Sequence, residues 1–192
     1  MKRVGVLALQ GDFAAHGSAL ERAGAEPVFV RDREQLNSID GLVIPGGEST
    51  TMIKLLQYEG WLDDLAEFGR KKPIFGTCAG AILMANHVTN PEQDSLGLMD
   101  IDVERNAYGR QIDSHVAELD PDPEFQKRAG PGKLEAVFIR APIIRGVSGG
   151  ARVLASYQGA PVLVEEGKHL VATFHPELTA DSRVHHLFLE KL

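Results

Sequence analysis

The chain has 192 residues, a hydrophobic fraction of 43% and a charged fraction of 24%, which excludes a disordered polymer and predicts one globular domain spanning 1–192. Twenty basic against 27 acidic residues give a net charge of −7, a poor balance for gripping nucleic-acid phosphates. A lone cysteine excludes an internal disulfide and a Cys-rich zinc site.

Taken from the N-terminus, Val4 to Leu9 is a nearly continuous apolar run, as a strand buried on both faces should be. It is too short for a signal peptide or a membrane span, so a cytoplasmic protein that meets no membrane is expected. Asp12 is positioned to cap a helix with Phe13, Gly17 and Leu20 on one face and Gly24 as its stop. Pro27–Val30 and Gly41–Ile44 read as strands. Ser49 or Thr50 is expected to cap the helix that carries Met52, Ile53, Leu55 and Leu56. Trp61, Leu62, Leu65 and Phe68 mark another helix, Pro73–Gly76 a fourth strand, and a helix is expected from Ala79 to His87.

This β-α-β-α rhythm implies a parallel sheet with helices on both faces. Chemistry in such sheets sits beyond the carboxyl ends of the strands, which singles out loops 10–12, 45–49 and 76–80. The second half reads differently. Segments 88–99 and 120–133 are rich in Pro, Asp, Gly and Asn and are expected to be loops. Asp100–Val103 and Ala136–Ile139 read as strands. Arg152–Ser156, Pro161–Glu165 and Leu170–Phe174, joined by brief polar turns, read as an antiparallel meander. A last helix starts near Ser182. The fold class is therefore α/β: a three-layer α/β/α sandwich with a mostly parallel central sheet and an antiparallel extension.

Gly76-Thr77-Cys78-Ala79-Gly80 has the form of a nucleophile elbow with Cys in place of Ser. It places Cys78 at a helix N-terminus, where a thiolate is stabilised. Such a nucleophile needs a base and the base an orienter. His175-Pro176-Glu177 supplies both: residues i and i+2 of an extended segment share a side, so Glu177 can hold one imidazole nitrogen while the other faces Cys78. The remaining histidines read as bland. His185 and His186 are expected in solvent on the last helix, His87 at a helix C-terminus, and His115 and His169 as structural. His16, near loop 10–12, is a weaker candidate for the site or an interface. No cluster has metal-ligand spacing, so no metal and no cofactor are expected.

Pro45-Gly46-Gly47-Glu48-Ser49-Thr50 puts two glycines between a strand end and a helix start. It suits an oxyanion hole formed by the N–H groups of Gly47 and Ala79, and it lacks the Gly-Lys-Ser/Thr of a phosphate loop. Arg105 and Arg140 each follow a strand and can clamp a carboxylate, or be surface arginines.

These segments together resemble the class I (triad) glutamine amidotransferases. Leu9-Gln10-Gly11-Asp12-Phe13, Gly46-Gly47-Glu48-Ser49-Thr50, Glu104-Arg105-Asn106, Ile139-Arg140-Ala141-Pro142 and Phe174-His175-Pro176-Glu177-Leu178 bring the match closer to the glutaminase subunits of pyridoxal 5′-phosphate synthases. The departures fall in segments 88–99 and 120–133 and at His115, where an aromatic is expected. The resemblance implies a single glutamine amidotransferase domain that hydrolyses L-glutamine to glutamate and ammonia with Cys78, His175 and Glu177. It implies Gly47, Glu48, Ser49, Arg105, Ile139 and Arg140 as glutamine-binding residues. It also implies ammonia transfer to a synthase partner in a hetero-oligomer, with Gln10 as a candidate for the partner-driven switch. Two other readings stand beside it: an elbow-cysteine hydrolase or deglycase, which usually has His where this chain has Ala79, and an inactive glutaminase-like scaffold.

Overall fold

The computed structural model describes residues 1–106 and 114–192. The first half alternates as its sequence pattern predicts: β1 (Arg3–Leu7), α1 (Phe13–Ala23), β2 (Glu26–Val30), β3 (Gly41–Ile44), α2 (Ser49–Tyr58), α3 (Trp61–Lys71), β4 (Ile74–Thr77) and α4 (Ala79–Met84). Asp12 caps α1 by accepting from Ala15 N at 3.4 Å, and Gly24 closes it in the left-handed conformation at φ 94°. The cap of α2 is not Ser49 or Thr50 but Glu48. Its longer side chain reaches the backbone N–H groups of Thr50 (3.0 Å) and Thr51 (2.7 Å).

The helix after the elbow is shorter than expected. It stops at Met84, and Ala85–Thr89 forms β5, which pairs in parallel with β6 (Met99–Glu104). Ala85 and Val88 are buried while Asn86 and His87 face out, so pairing with β6 overrides the helical pattern and His87 lies on a strand. Segment 120–133 contains a helix, α5 (Pro123–Ala129), rather than loop alone. Asp122-Pro123 is its N-cap and first residue: Asp122 Oδ1 accepts from Glu124 N at 2.9 Å, and Phe125 is fully buried. Around it lie β7 (His115–Leu119), antiparallel to β8 (Leu134–Phe138), and β9 (Ile143–Val147), which the sequence reading did not anticipate and which pairs with β6. His115 fills an aromatic position by stacking on Phe138 at 5.1 Å between centroids.

The predicted meander is present as β10 (Arg152–Tyr157), β11 (Ala160–Glu166) and β12 (His169–Ala172), followed by α6 (Arg183–Leu189). The central sheet has seven strands in the order β10-β11-β12-β4-β3-β1-β2. The five from β12 to β2 are parallel, and β11 and β10 extend the sheet in antiparallel pairings. One core cluster joins residues of α2, α3 and α4 to one sheet face; the other joins α1, α5 and α6 to the opposite face. The carboxyl ends of β12, β4, β3 and β1 thus lie side by side along one rim.

Tight approach of backbone to backbone fixes that rim. A Cβ on Gly80 would stand 2.1 Å from the carbonyl oxygen of Ile44, and one on Gly76 would stand 2.4 Å from that of Gly80. The elbow glycines therefore let β3, β4 and α4 close on one another. The sharp turn itself belongs to Cys78, at φ 50°. Gly80→Ala is expected to lower stability by about 1–3 kcal/mol. Gly150→Ala, where the nearest atom to a new Cβ is 3.9 Å away, should stay within about 0.5 kcal/mol. Denaturant midpoints of the two variants check this.

Candidate active site

Cys78 sits between β4 and α4 as the N-cap of the helix. Its backbone N–H donates to Ala172 O at 2.8 Å, tying the nucleophile's turn to the end of β12. A positive φ in a residue with a side chain is strained, and such strain is held only where the surroundings over-determine it. The thiol is only 5% exposed and donates to the carbonyl of Ile139 at 3.7 Å.

The base arrives from the neighbouring strand. β12 runs parallel to β4 with Ala172 opposite Thr77, so the chain beyond each strand enters the same space. His175 N donates to Val137 O at 2.8 Å, which fixes the base against the end of β8. His175 Nδ1 lies 2.6 Å from Glu177 Oε1. The pairing expected between these two residues is present, but not by extended geometry. Pro176–Leu178 is a 3-10 turn, with Pro176 at its first position, and the carboxylate curls back to the ring. A Cβ on Gly46 would come 2.6 Å from His175 Cε1 and 3.3 Å from Cys78 Cβ, so imidazole and nucleophile face the same bare backbone.

Burial pushes the His175 imidazole toward neutrality, but hydrogen bonding with Cys78 and Glu177 and their charges outweigh it and raise the pKa to about 10. The protonated ring is therefore favoured. It can balance a sulfur anion and supply a proton to a leaving amine.

The remaining expected site residues lie in the segments that follow β1, β3, β4, β6 and β8. Ala79 opens α4, so its N–H has no partner within the helix. Gly47 lies beyond β3 at φ 150°, and a Cβ there would stand 2.3 Å from Gln10 Nε2. Gln10 Nε2 also donates to the carbonyl of Glu48 at 3.3 Å, so the loop after β1 rests directly on the two-glycine turn. Hydrogen bonds from Thr51 and Thr50 overcome the opposing effect of partial desolvation and lower the Glu48 carboxyl to about 2. Its side chain serves α2, with Arg105 Nη2 3.9 Å away. Arg105 also donates to Thr50 Oγ1, while its buried Nε has no hydrogen-bond partner among the described residues. Ser49 is buried and donates to Gln93 Oε1 at 3.3 Å. Ile139 and Arg140 follow β8, with Arg140 exposed in the left-handed region at φ 46°.

His185 departs from its expected place, while His16, the weaker candidate, does reach Glu177. His185 is fully buried rather than solvated; only His186 faces out. His16 is also fully buried, with Nε2 3.4 Å from Glu177 Oε2, 3.0 Å from Thr77 Oγ1, and Nδ1 3.1 Å from His185 Nε2. The signal for both lay in helical spacing. His16 is three residues past Phe13 and four before Leu20, on the apolar face of α1, and His185 is three before Phe188.

Glu177→Gln keeps the shape of this arrangement and removes the charge. A raised imidazole pKa contributes stability that is complete below its ordinary 6.5 and is lost as pH rises through about 10. The variant should lose that contribution and lower the ring's titration midpoint, read by NMR, with a fall in kcat of about 100-fold or more.

The sequence matches the SNO glutamine amidotransferase family over residues 6–192. It is 73% identical to the pyridoxal 5′-phosphate synthase subunit PdxT of Solibacter usitatus over the full length of both chains. It is 55% identical to PdxT of Koribacter versatilis, covering 98% of this chain and 94% of that one. A solved glutamine amidotransferase structure superposes with TM-score 0.88 at 46% identity, covering 98% of this chain and 97% of that one. PurLQS from Thermotoga maritima, at 20% identity and TM-score 0.72, shares the fold over 99% of each chain. With a family match across nearly its whole length, the chain belongs to the SNO glutamine amidotransferase family.

Proposed function

We propose that the chain is the glutaminase subunit of a pyridoxal 5′-phosphate synthase and that Cys78, His175 and Glu177 are its catalytic triad. The observation that carries this reading is the 2.6 Å contact of Glu177 with His175, on a ring that faces the same Gly46 backbone as Cys78.

The chemistry follows from the geometry. The sulfur of Cys78, as thiolate, attacks the side-chain carboxamide carbon of glutamine, and the carbonyl electrons move to oxygen. The N–H groups of Gly47 and Ala79 are the donors for that oxyanion. Collapse re-forms the carbonyl and breaks the C–N bond, while His175 gives its proton to the departing nitrogen. Ammonia leaves and a γ-glutamyl thioester remains. The ring, now neutral, takes a proton from water as the water oxygen attacks the thioester, and glutamate and the thiolate depart. Glu177 holds Nδ1 protonated throughout, so Nε2 does the proton transfer.

Glutamine is held by its α-groups in this reading. Arg105, whose buried Nε has no partner among the described residues, and Arg140 beside it in function are the cations for the carboxylate. Glu48, through the turn it caps, together with Ser49 and Ile139, shapes the wall. Ammonia free in water would be protonated and lose its nucleophilicity, so the product passes directly to a synthase subunit. Gln10, packed on Gly47, links the surface loop after β1 to the oxyanion donor and is the element through which docking acts.

Cys78→Ser in complex with the synthase should abolish glutamine-dependent product while leaving synthesis from added ammonium salts intact. Loss of both would contradict the division of labour. Gln10→Ala should reduce partner-stimulated glutamate release by about 10-fold, as expected for one lost polar contact in a transition-state assembly. Unchanged stimulation would remove Gln10 from the switch.

A further inference from the structure

Behind the triad lies a buried polar chain that the reaction as written does not use. Glu177 presents two oxygens. Oε1 is paired with His175, while the buried Oε2 has no hydrogen-bond partner among the described residues; His16 Nε2 lies 3.4 Å from it. The His16 and Glu177 side chains are both sealed from solvent. A carboxylate oxygen left without a donor in such a place is costly.

The protons of this chain can be assigned by elimination. If His16 carried its proton on Nδ1, the lone pair of Nε2 would face a carboxylate oxygen, and His185 would bear an N–H on Nδ1 with no acceptor. Placing the proton on Nε2 removes both faults. His185 Nε2–H then donates to His16 Nδ1, and His16 Nε2–H is shared between Thr77 Oγ1 and Glu177 Oε2. The leftover atom is a bare acceptor on His185, a smaller penalty than a buried unpaired donor.

The groups facing these rings push both toward the neutral form. Burial, then His185 and His175, lower His16 well below 6.5; burial, then Arg22 on α1 and His186 on α6, lower His185 to about 3. The chain thus has one direction, from α6 through α1 to the carboxylate and on to the base. Its central ring also touches Thr77, the residue before the nucleophile.

We propose that His16, oriented by His185, is a positioning residue of the triad, its Nε2–H bridging Glu177 Oε2 and Thr77 so that base and nucleophile strand keep one register. The proposal rests on the glutaminase reading for its kinetic consequences and on geometry alone for its effect on His175. Removing the donor leaves Oε2 unsupported, weakens the carboxylate's hold on the imidazolium and lets the ring drift. His16→Leu removes it; His16→Gln keeps an amide N–H near the position of Nε2. His185→Phe tests the outer link without touching the carboxylate.

Glutamate release should be measured on the complex with the synthase across pH. His16→Leu is expected to lower kcat about 10–100-fold with KM for glutamine within about 2-fold, and His16→Gln to recover most of the loss. His185→Phe should shift in the same direction by a smaller factor. In parallel, NMR titration of His175 in the Cys78→Ala background should show a lower midpoint in His16→Leu than in its parent, and a restored one in His16→Gln. Wild-type kcat and an unmoved His175 midpoint in folded His16→Leu would overturn the proposal. So would equal losses in Leu and Gln variants with the midpoint unchanged. Should His16→Leu fail to fold, His185→Phe and His16→Gln decide: unchanged kinetics and midpoint in His185→Phe would remove the orienting link. If the parent protein releases no glutamate, the glutaminase reading fails, while the His175 titration still decides the role of His16.

Discussion

The parallel pairing of β12 with β4 is the constraint on which the site depends. Cys78 and His175 lie far apart in sequence and come to one rim because Ala172 stands opposite Thr77 and the N–H of Cys78 bonds back to Ala172. Every other part of the centre is referred to that pair. β3 brings the two-glycine turn beside Cys78, and β1 brings Gln10 and Gly11 against that turn. A slip of one residue in the β4–β12 register would turn each side chain to the opposite face of the sheet, where the helices pack.

Charge is handled as economically as position. The His175 imidazolium is surrounded by partners that favour its charged form strongly enough to reverse the effect of burial. The two histidines behind it are driven the other way, His16 by burial and then by His185 and His175, His185 by burial and then by Arg22 and His186. Three imidazoles within one buried cluster are therefore pushed in two directions, His175 up and His16 and His185 down. Their environments, not their intrinsic chemistry, set the difference.

Much of this was legible in the residues. The elbow glycines, Cys78 and the His175–Glu177 pair carry their chemistry in short, local patterns, and the strand–helix rhythm placed them on one rim. What escaped the reading depended on contacts between distant segments. Ala85–His87 looks like the tail of a helix, and Val88-Thr89 like the start of a loop, because nothing local announces the pairing of this segment with β6. Glu48 displaced Ser49 and Thr50 as a cap because its longer side chain reaches two backbone donors. Asp122-Pro123 was read as loop although the same two residues start a helix, a choice settled by burial of Phe125. His185 was assigned to solvent by its polarity, yet it lies on the face that α6 turns to Phe75 and His16.

In the proposed reaction a glutamyl group passes through the sulfur of Cys78. Rapid acid quench of the complex during turnover of glutamine, followed by peptide mass spectrometry, tests it directly. A γ-glutamyl adduct confined to the peptide containing Cys78, absent from the Cys78→Ala protein along with glutamate release, is the predicted result. Undiminished glutamate release by Cys78→Ala, with no adduct on the parent, would contradict it.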